Sequence, residues 1–468
     1  NFATQNIGDN AGEMGDALAV SNLGTGRTAT SISSGLPETS PHTCAVLDDG
    51  SVKCWGWNDN GQLGIGNTTT MGDAADEMGD NLSAADLGTG RTAVAIATGY
   101  WHACAILDNG DMKCWGDNDY GQLGGGNISE GTVASPSFPV SLPEGTMASS
   151  IDSGMWHSCI ISTLGSVFCW GSNGHGQLGD GEEDDPTSVQ VAEVQLEPGV
   201  VASSLSLGHS SSCLVTSSGQ LHCWGGGDRG VLGLGDEEDR STPTQVDLSG
   251  FEGHHIALSE RDWNEDMVVD EIAKNLRGGQ EGSLSHQARL AVGNKHNCVI
   301  IENGEIWCWG DNYHYQLGNG SVSQADSWST IEAVKADPDG HMENRTALSI
   351  SSSYGTNCAV LDNGSLLCWG FNGRGEVGVG YSQPNGDQRI GLGFPDLGQD
   401  RSARAVSMGG AGGCVILDEG SLRCWGQGAG DATGMDPTDI DLGQDRVAIA
   451  VSTGETHTCA ILDTEEAV

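Results

Sequence analysis

Positive charge is what this chain has least of. It holds 19 Lys and Arg against 64 Asp and Glu, a formal net charge of −45 over 468 residues. A surface of that sign repels nucleic acid and anionic membranes, so neither is an expected partner. No apolar run approaches the roughly 18–20 residues of a membrane-crossing helix, so no membrane insertion is expected. Apart from Trp, aromatics are scarce, with 6 Tyr and 6 Phe. No Cys-x-x-Cys occurs, which removes the common zinc spacing. There is no Gly-x-Ser-x-Gly elbow, phosphate loop or zinc-protease helix, so no motif of catalysis is legible and no enzyme is expected. The acidic surface suits a salty exterior, counter-cations or a basic partner.

The chain is rich in Gly (73) and holds 15 Cys. Fourteen cysteines form a regular series of pairs: Cys44 with Cys54, Cys104 with Cys114, Cys159 with Cys169, Cys213 with Cys223, Cys298 with Cys308, Cys358 with Cys368, and Cys414 with Cys424. Each second member opens a Cys-Trp-Gly. Cys459 is left over. Between Cys44 and Cys54 the sequence Ala-Val-Leu-Asp-Asp-Gly-Ser-Val-Lys reads as a hairpin. Asp48-Asp49-Gly50 suits a type I turn followed by a left-handed Gly in a G1 bulge. That turn sets Leu47 opposite Ser51 and Cys44 opposite Cys54. Facing Cα atoms at a non-hydrogen-bonded site lie roughly 4.5 Å apart, within disulfide range. Seven disulfides are therefore expected within hairpins, each contributing about 2–3 kcal/mol on the chain-entropy model. They imply an oxidising compartment: extracellular, cell-surface or periplasmic.

The flanks repeat as well. Ala93-Val94-Ala95-Ile96-Ala97-Thr98-Gly99 alternates like a strand before its hairpin. After Cys-Trp-Gly comes Asn58-Asp59-Asn60-Gly61-Gln62-Leu63-Gly64, echoed at 118–124 and 173–179. Repeats of roughly 45–60 residues with several short strands favour a propeller over a β-helix or helical solenoid. The hairpins fall near 42–56, 102–116, 157–171, 211–225, 296–310, 356–370 and 412–426, with a partial copy at 457–468. Residues 1–468 are read as a single repeat domain.

The series Gly-x-x-His-x-Cys, Asp-Asn-Gly, Cys-Trp-Gly-x-Asn-x-x-Gly-Gln-Leu-Gly closely resembles the regulator of chromosome condensation repeat, over essentially the whole chain. The resemblance implies an all-β propeller of four-stranded blades, seven or eight in number, with one disulfide per blade hairpin. The cysteine pairs are similar to those of secreted bacterial members. The nuclear founder is a GTPase exchange factor that binds chromatin; those activities are not carried over to an acidic chain without a basic tail. Bacterial relatives that inhibit β-lactamases bind through one face. The expectation is a non-catalytic scaffold with a protein or glycan partner. The alternative is a structural subunit of an extracellular assembly, self-associating through the incomplete terminal repeat.

Three irregularities complete the reading. An insertion at 250–287 carries a helical pattern from Trp263 to Leu276, whose Trp263, Met267 and Ile272 are candidate partner contacts. The ends are out of phase. Residues 1–27 resemble the stretch after a Cys-Trp-Gly, and Leu23-Gly24-Thr25-Gly26-Arg27 is matched 64 residues later by Leu87-Gly88-Thr89-Gly90-Arg91. Either the ring closes through these residues, or the chain is part of a longer repeat protein, or it joins another chain, with Cys459 at the contact. Finally, His42, His102, His157, His296 and His457 each sit two residues before a cysteine and are read as local hydrogen-bonders. Asp117-Asn118-Asp119 and Glu182-Glu183-Asp184-Asp185 are the only stretches that invite calcium; otherwise no cofactor is expected.

Overall fold

The computed structural model describes residues 21–35, 41–74, 76–125, 131–183, 190–247, 290–293, 295–301, 304–318, 334–335, 345–379, 389–410, 412–426, 436–443, 446–454 and 457–463. The 250–287 insertion, with Trp263, Met267 and Ile272, lies outside the described residues.

The architecture is a seven-bladed propeller. Blade two is representative: Ala93–Thr98, His102–Leu107, Met112–Asp117 and Thr132–Val133 form one antiparallel sheet in that order. Blades three to seven repeat it with four strands each, and blade one shows three, Ala29–Ser34, His42–Leu47 and Val52–Gly56. A further two-stranded sheet, Ala448–Thr453 with Thr458–Leu462, follows blade seven. The first strands of neighbouring sheets touch all the way round, and Ala448–Thr453 meets Ala29–Ser34. The circuit is closed by the partial eighth sheet.

The hairpins form as their residues dictate. Leu47 N–H donates to the Ser51 carbonyl at 2.8 Å, Gly50 N–H to the Leu47 carbonyl at 2.8 Å, and Gly50 has φ 74°. Cys44 faces Cys54, and the same register recurs in every blade. All seven expected disulfides are present. Cys44 is bonded to Cys54, Cys104 to Cys114, Cys159 to Cys169 and Cys213 to Cys223 in blades one to four. Cys298 is bonded to Cys308, Cys358 to Cys368 and Cys414 to Cys424 in blades five to seven. Their Cα atoms are 4.1–4.2 Å apart. The second strand of every blade is buried along its length, so each hairpin is covered on both faces.

Blades are joined by the Trp of Cys-Trp-Gly. Trp115 Nε1 donates to the Gln62 carbonyl of the preceding blade at 2.9 Å, and Trp170 does the same to Gln122 at 2.9 Å. Trp224, Trp309, Trp369 and Trp425 repeat the bond at 2.7–2.9 Å. All six indoles are buried to 1% exposure or less. The core is thus a set of inter-blade wedges, each holding one indole whose only polar atom is satisfied.

The histidines differ from expectation. His102, His157, His296 and His457 link blades instead of bonding locally, while both ring nitrogens of His42 are buried without a hydrogen-bond partner among the described residues. His102 Nε2 lies 2.8 Å from Ser158 Oγ, His157 Nε2 3.0 Å from Ser212 Oγ, and His296 Nε2 2.8 Å from Asn357 Oδ1, each in the following blade. Burial holds His102 and His157 neutral, with pKa values lowered to about 3. The ring lies where a side chain on the preceding Gly would go: a Cβ on Gly99 would come 2.1 Å from His102. That close approach explains the Gly-x-x-His spacing.

The junction between the eighth sheet and blade one repeats the histidine link of the other wedges. His457 Nε2 reaches Thr43 Oγ1 at 2.9 Å, and Ile461 packs with Leu23, Ala29, Ala45 and Leu47. Leu23 therefore meets Ile461 as Leu87 meets Val46 within the next wedge. This supports the closed-ring reading of the 64-residue offset. Trp55, the seventh Cys-Trp-Gly indole, is only partly buried here. Cys459 is buried, its sulfur 4.0 Å from Thr43 Oγ1, and desolvation pushes its thiol up to about 11.

Candidate functional site

Antiparallel topology gives the propeller two unlike ends. One end carries the hairpin turns, each ending in a Gly. The other carries two loops per blade, one before the second strand and one after Cys-Trp-Gly. On this loop face the backbone is nearly invariant. Asp117 N–H donates to the Trp101 carbonyl at 2.9 Å, Ser172 N–H to Trp156 at 2.9 Å, and Asp311 N–H to Lys295 at 2.8 Å. The Gly of Cys-Trp-Gly permits that clasp: Gly116 has φ 111°, and a Cβ there would sit 2.3 Å from the Trp101 oxygen. The second loop is fixed by its own Gln. Tyr120, His175 and His314 N–H groups donate to Gln122, Gln177 and Gln316 Oε1 at 2.7–2.9 Å.

Two positions per blade vary in register on this rigid frame, and their neighbours vary with them. One precedes the second strand: Trp101, Trp156, Ser210 and Lys295 in blades two to five. The other precedes the Gly-Gln-Leu-Gly signature: Tyr120, His175, Arg229 and His314. Loops held this way on a β scaffold are where recognition residues concentrate.

In blades two and three these positions build an aromatic cluster. Trp101 and Trp156 meet edge to face, with ring centroids 4.9 Å apart. Tyr100 lies 5.1 Å from Trp101 and 5.4 Å from Trp156, and Tyr120 lies 5.5 Å from Trp156. None of the four is buried, and Trp57 of blade one is also exposed. A second cluster spans blades five and six. Tyr313 and His314 are 4.8 Å apart, His314 and Phe371 4.7 Å apart, and Tyr354 is 63% exposed. Beside it lies a cavity of about 340 Å³ lined by Arg229, Lys295, Asp311, Tyr313, His314, Gln316 and Tyr354. Arg229 Nη1 donates to the buried Asp311 Oδ2 at 2.8 Å. Trp and Tyr offer large rigid contact area with few rotors to freeze, which suits them to anchoring a partner.

The cysteines singled out by sequence lie elsewhere. Both members of every pair, from Cys44 and Cys54 to Cys414 and Cys424, sit inside a blade as scaffold, and Cys459 is enclosed at the ring junction. The calcium-like residues hold a loop: Gln122 Nε2 donates to Asp117 Oδ2 at 2.8 Å, and Asn118 Oδ1 accepts from Leu123 N–H at 3.2 Å. Burial raises the Asp117 carboxyl to about 6. Among the described residues no three His, Cys, Asp or Glu side chains gather as a metal site would require. Residues 184–185 lie outside the described residues. Sequence reading missed the aromatic face. A signal was available: seven of the 13 Trp belong to Cys-Trp-Gly, and Trp101 and Trp156 recur at one variable repeat position.

Comparison with known proteins agrees with this geometry. Two models of the regulator of chromosome condensation (RCC1) repeat match residues 42–62, 93–122, 148–177, 288–316 and 348–376, and residues 109–161, 165–215 and 218–258. The ultraviolet-B receptor UVR8 of Arabidopsis thaliana is 28% identical over 398 residues, 84% of this chain and 77% of that protein. The human E3 ubiquitin-protein ligase HERC2 is 27% identical over 65% of this chain, which spans only 6% of that much longer protein. Among solved structures, human WBSCR16 superposes with a TM-score of 0.61 at 20% identity, covering 87% of this chain and 97% of that one. Prp20p of Saccharomyces cerevisiae, described with its binding to Gsp1p and histones, gives 0.56 at 18% identity, covering 87% and 90%. The chain belongs to the regulator of chromosome condensation repeat family.

Proposed function

We propose that this protein is a non-catalytic binding scaffold of an oxidising, extracytoplasmic compartment, and that it grips a protein partner with its loop face. The observation that carries the reading is the pair of aromatic clusters on clasped loops, centred on Trp101 and Trp156. The frame beneath them is held by disulfides and indole wedges, so little order has to be gained on binding. Yeast Prp20p, which shares the fold, is described as binding Gsp1p and histones. The charge of −45 favours a partner with a neutral or basic surface. Seven disulfides are the support for the compartment.

The test is selection of binders from a phage-displayed library of random linear peptides against the oxidised protein. Peptides should enrich, and the Trp101→Ala/Trp156→Ala variant should lose about 3 kcal/mol of their binding, since aromatic anchors each contribute roughly 2 kcal/mol or more and two rings in contact add less than fully. Enrichment that ignores this variant, or none at all, sinks the reading.

The ring junction favours a second reading, association with another chain. The outer edge of Thr458–Leu462 has no partner strand among the described residues, and Trp55 is partly exposed beside it. Strand addition is a common use of such an edge. Size-exclusion chromatography of the parent and Cys459→Ser distinguishes the two. A monomer in both leaves the loop face as the binding surface.

A further inference from the structure

The cavity between blades four, five and six has a chemistry unlike the rest of the surface. Across the chain, acidic residues outnumber basic ones 64 to 19. Here two cations, Arg229 and Lys295, line one cavity with a single carboxylate, Asp311. That carboxylate is already committed. Asp311 is buried, takes the Arg229 guanidinium at 2.8 Å on Oδ2, and accepts the Tyr313 N–H at 3.1 Å on Oδ1. Lys295 makes no ion pair among the described residues, and its backbone carbonyl is fixed by the Asp311 N–H at 2.8 Å. The ammonium is thus left to a ligand, on a stem anchored by the loop clasp.

Two further features frame it. Arg229 occupies the left-handed region, at φ 62°, which an ordinary side chain adopts at a cost and which is found at functional sites more often than elsewhere. The cavity walls are Tyr313 and Tyr354, more than half exposed, with His314 between the cavity and Phe371. A cationic floor between aromatic walls suits a carboxylate carried on a short apolar stem.

Resting on the loop-face reading, we infer that this cavity takes the carboxylate of one Asp or Glu side chain of the partner, in a segment whose flanking residues are neutral or basic. The surrounding charge decides between ligands. A charge-dense polyanion, such as a polyuronate glycan or polyglutamate, would place its neighbouring carboxylates over an acidic surface and be repelled. A lone acidic side chain meets the Lys295 ammonium beside the already paired Arg229 and Asp311, a lining with one net positive charge.

The experiment reads the sequences of the selected peptides. Enriched peptides should share one acidic residue flanked by neutral or basic ones. Changing that residue to its amide in the dominant peptide, or Lys295→Met in the protein, should each weaken binding about tenfold. The double change should add little to either single one, because the two groups meet each other. Polygalacturonate and polyglutamate should fail to compete at moderate salt. The inference is overturned if the enriched peptides lack an acid, if Lys295→Met binds them unchanged, or if polygalacturonate competes. In those cases a dependence on Trp101 and Trp156 would still leave the loop face standing as the binding surface, so the two failures are separable. Lys295 is partly exposed on a loop, and an unchanged melting temperature confirms that its replacement leaves the fold intact.

Discussion

The two ends of the propeller are made from the same hairpins and are put to opposite uses. At the turn end, side chains satisfy one another. Arg27 pairs with Asp49 at 2.7 Å, Arg91 with Asp108 at 3.5 Å, and Arg401 with Glu419 and Asp439 at 2.6 Å each. The turn aspartates also cap backbone: Asp48 accepts from Thr28 N–H and Asp108 from Thr92 N–H. Its exposed apolar groups, Met147, Leu164 and Val201, are single aliphatic side chains beside the turns. At the loop end the clasp and the signature Gln hold the backbone, and the variable positions present aromatic rings and the Lys295 ammonium. The lesson is that the turn end pairs its charged side chains with one another, whereas the loop end, held by its clasp and its signature Gln, turns its variable side chains outward. Only the second arrangement leaves side chains available to a ligand.

The strongest way to sharpen this comparison is to remove one Trp from each role. Trp170→Ala takes out a fully buried wedge and should cost about 3–5 kcal/mol of stability, read as a lower denaturant midpoint. Trp156→Ala should leave that midpoint nearly unchanged and instead weaken peptide binding by about 2 kcal/mol. Equal effects of the two on stability would erase the distinction between wedge and anchor.

A smaller effect is expected at the turn end. Gly110 has φ 79°, and a Cβ there would lie 2.8 Å from the Met147 Cβ. Gly110→Ala should therefore cost about 1–2 kcal/mol, the penalty of a left-handed non-Gly residue, with peptide affinity unaffected. A loss of affinity without a loss of stability would show that the turn end takes part in binding.

The smallest effect concerns Glu376, which replaces the signature Gln. Its Oε2 accepts the Arg374 N–H at 2.7 Å, as the Gln side chains do, but Oε1 is buried without a partner. Burial raises its carboxyl from 4.5 to about 7. The folded state therefore holds this proton more tightly than the unfolded one. Stability from this group is full below about pH 4.5 and falls as pH rises through 7. Glu376→Gln should remove that slope and stabilise the protein by about 1–2 kcal/mol at pH 8. A pH profile identical to the parent's would contradict it.

The scaffold was legible in the sequence because each of its rules is local. A ten-residue cysteine spacing with a turn Gly fixes a hairpin, and Gly-x-x-His-x-Cys fixes its approach. The partners of His102 and Trp115 were not legible. They lie 56 and 53 residues away in the neighbouring blade, and the group that receives Trp115 is a backbone carbonyl, whose role its Gln side chain does not announce. The loop face was hidden for the complementary reason. Its residues occupy positions where the repeat imposes nothing, so Trp101 with Trp156, and Lys295 with Arg229, read as separate residues until the fold brings each pair together. The arginines at 27, 91, 345 and 401 show a signal that could have been used. Each precedes a Thr or Ser and then Ala, and each pairs at the turn end.

Both ends expose oxidisable side chains, and this allows one direct measurement. Hydroxyl-radical footprinting of the protein, free and saturated with the dominant selected peptide, reports Trp101, Trp156, Tyr313 and Tyr354 at one end and Met147 and Leu164 at the other. The account predicts protection of the Trp and Tyr group, with Met147 and Leu164 oxidised at their unbound rates. Protection of Met147 and Leu164, with Trp101 and Trp156 unchanged, would contradict it.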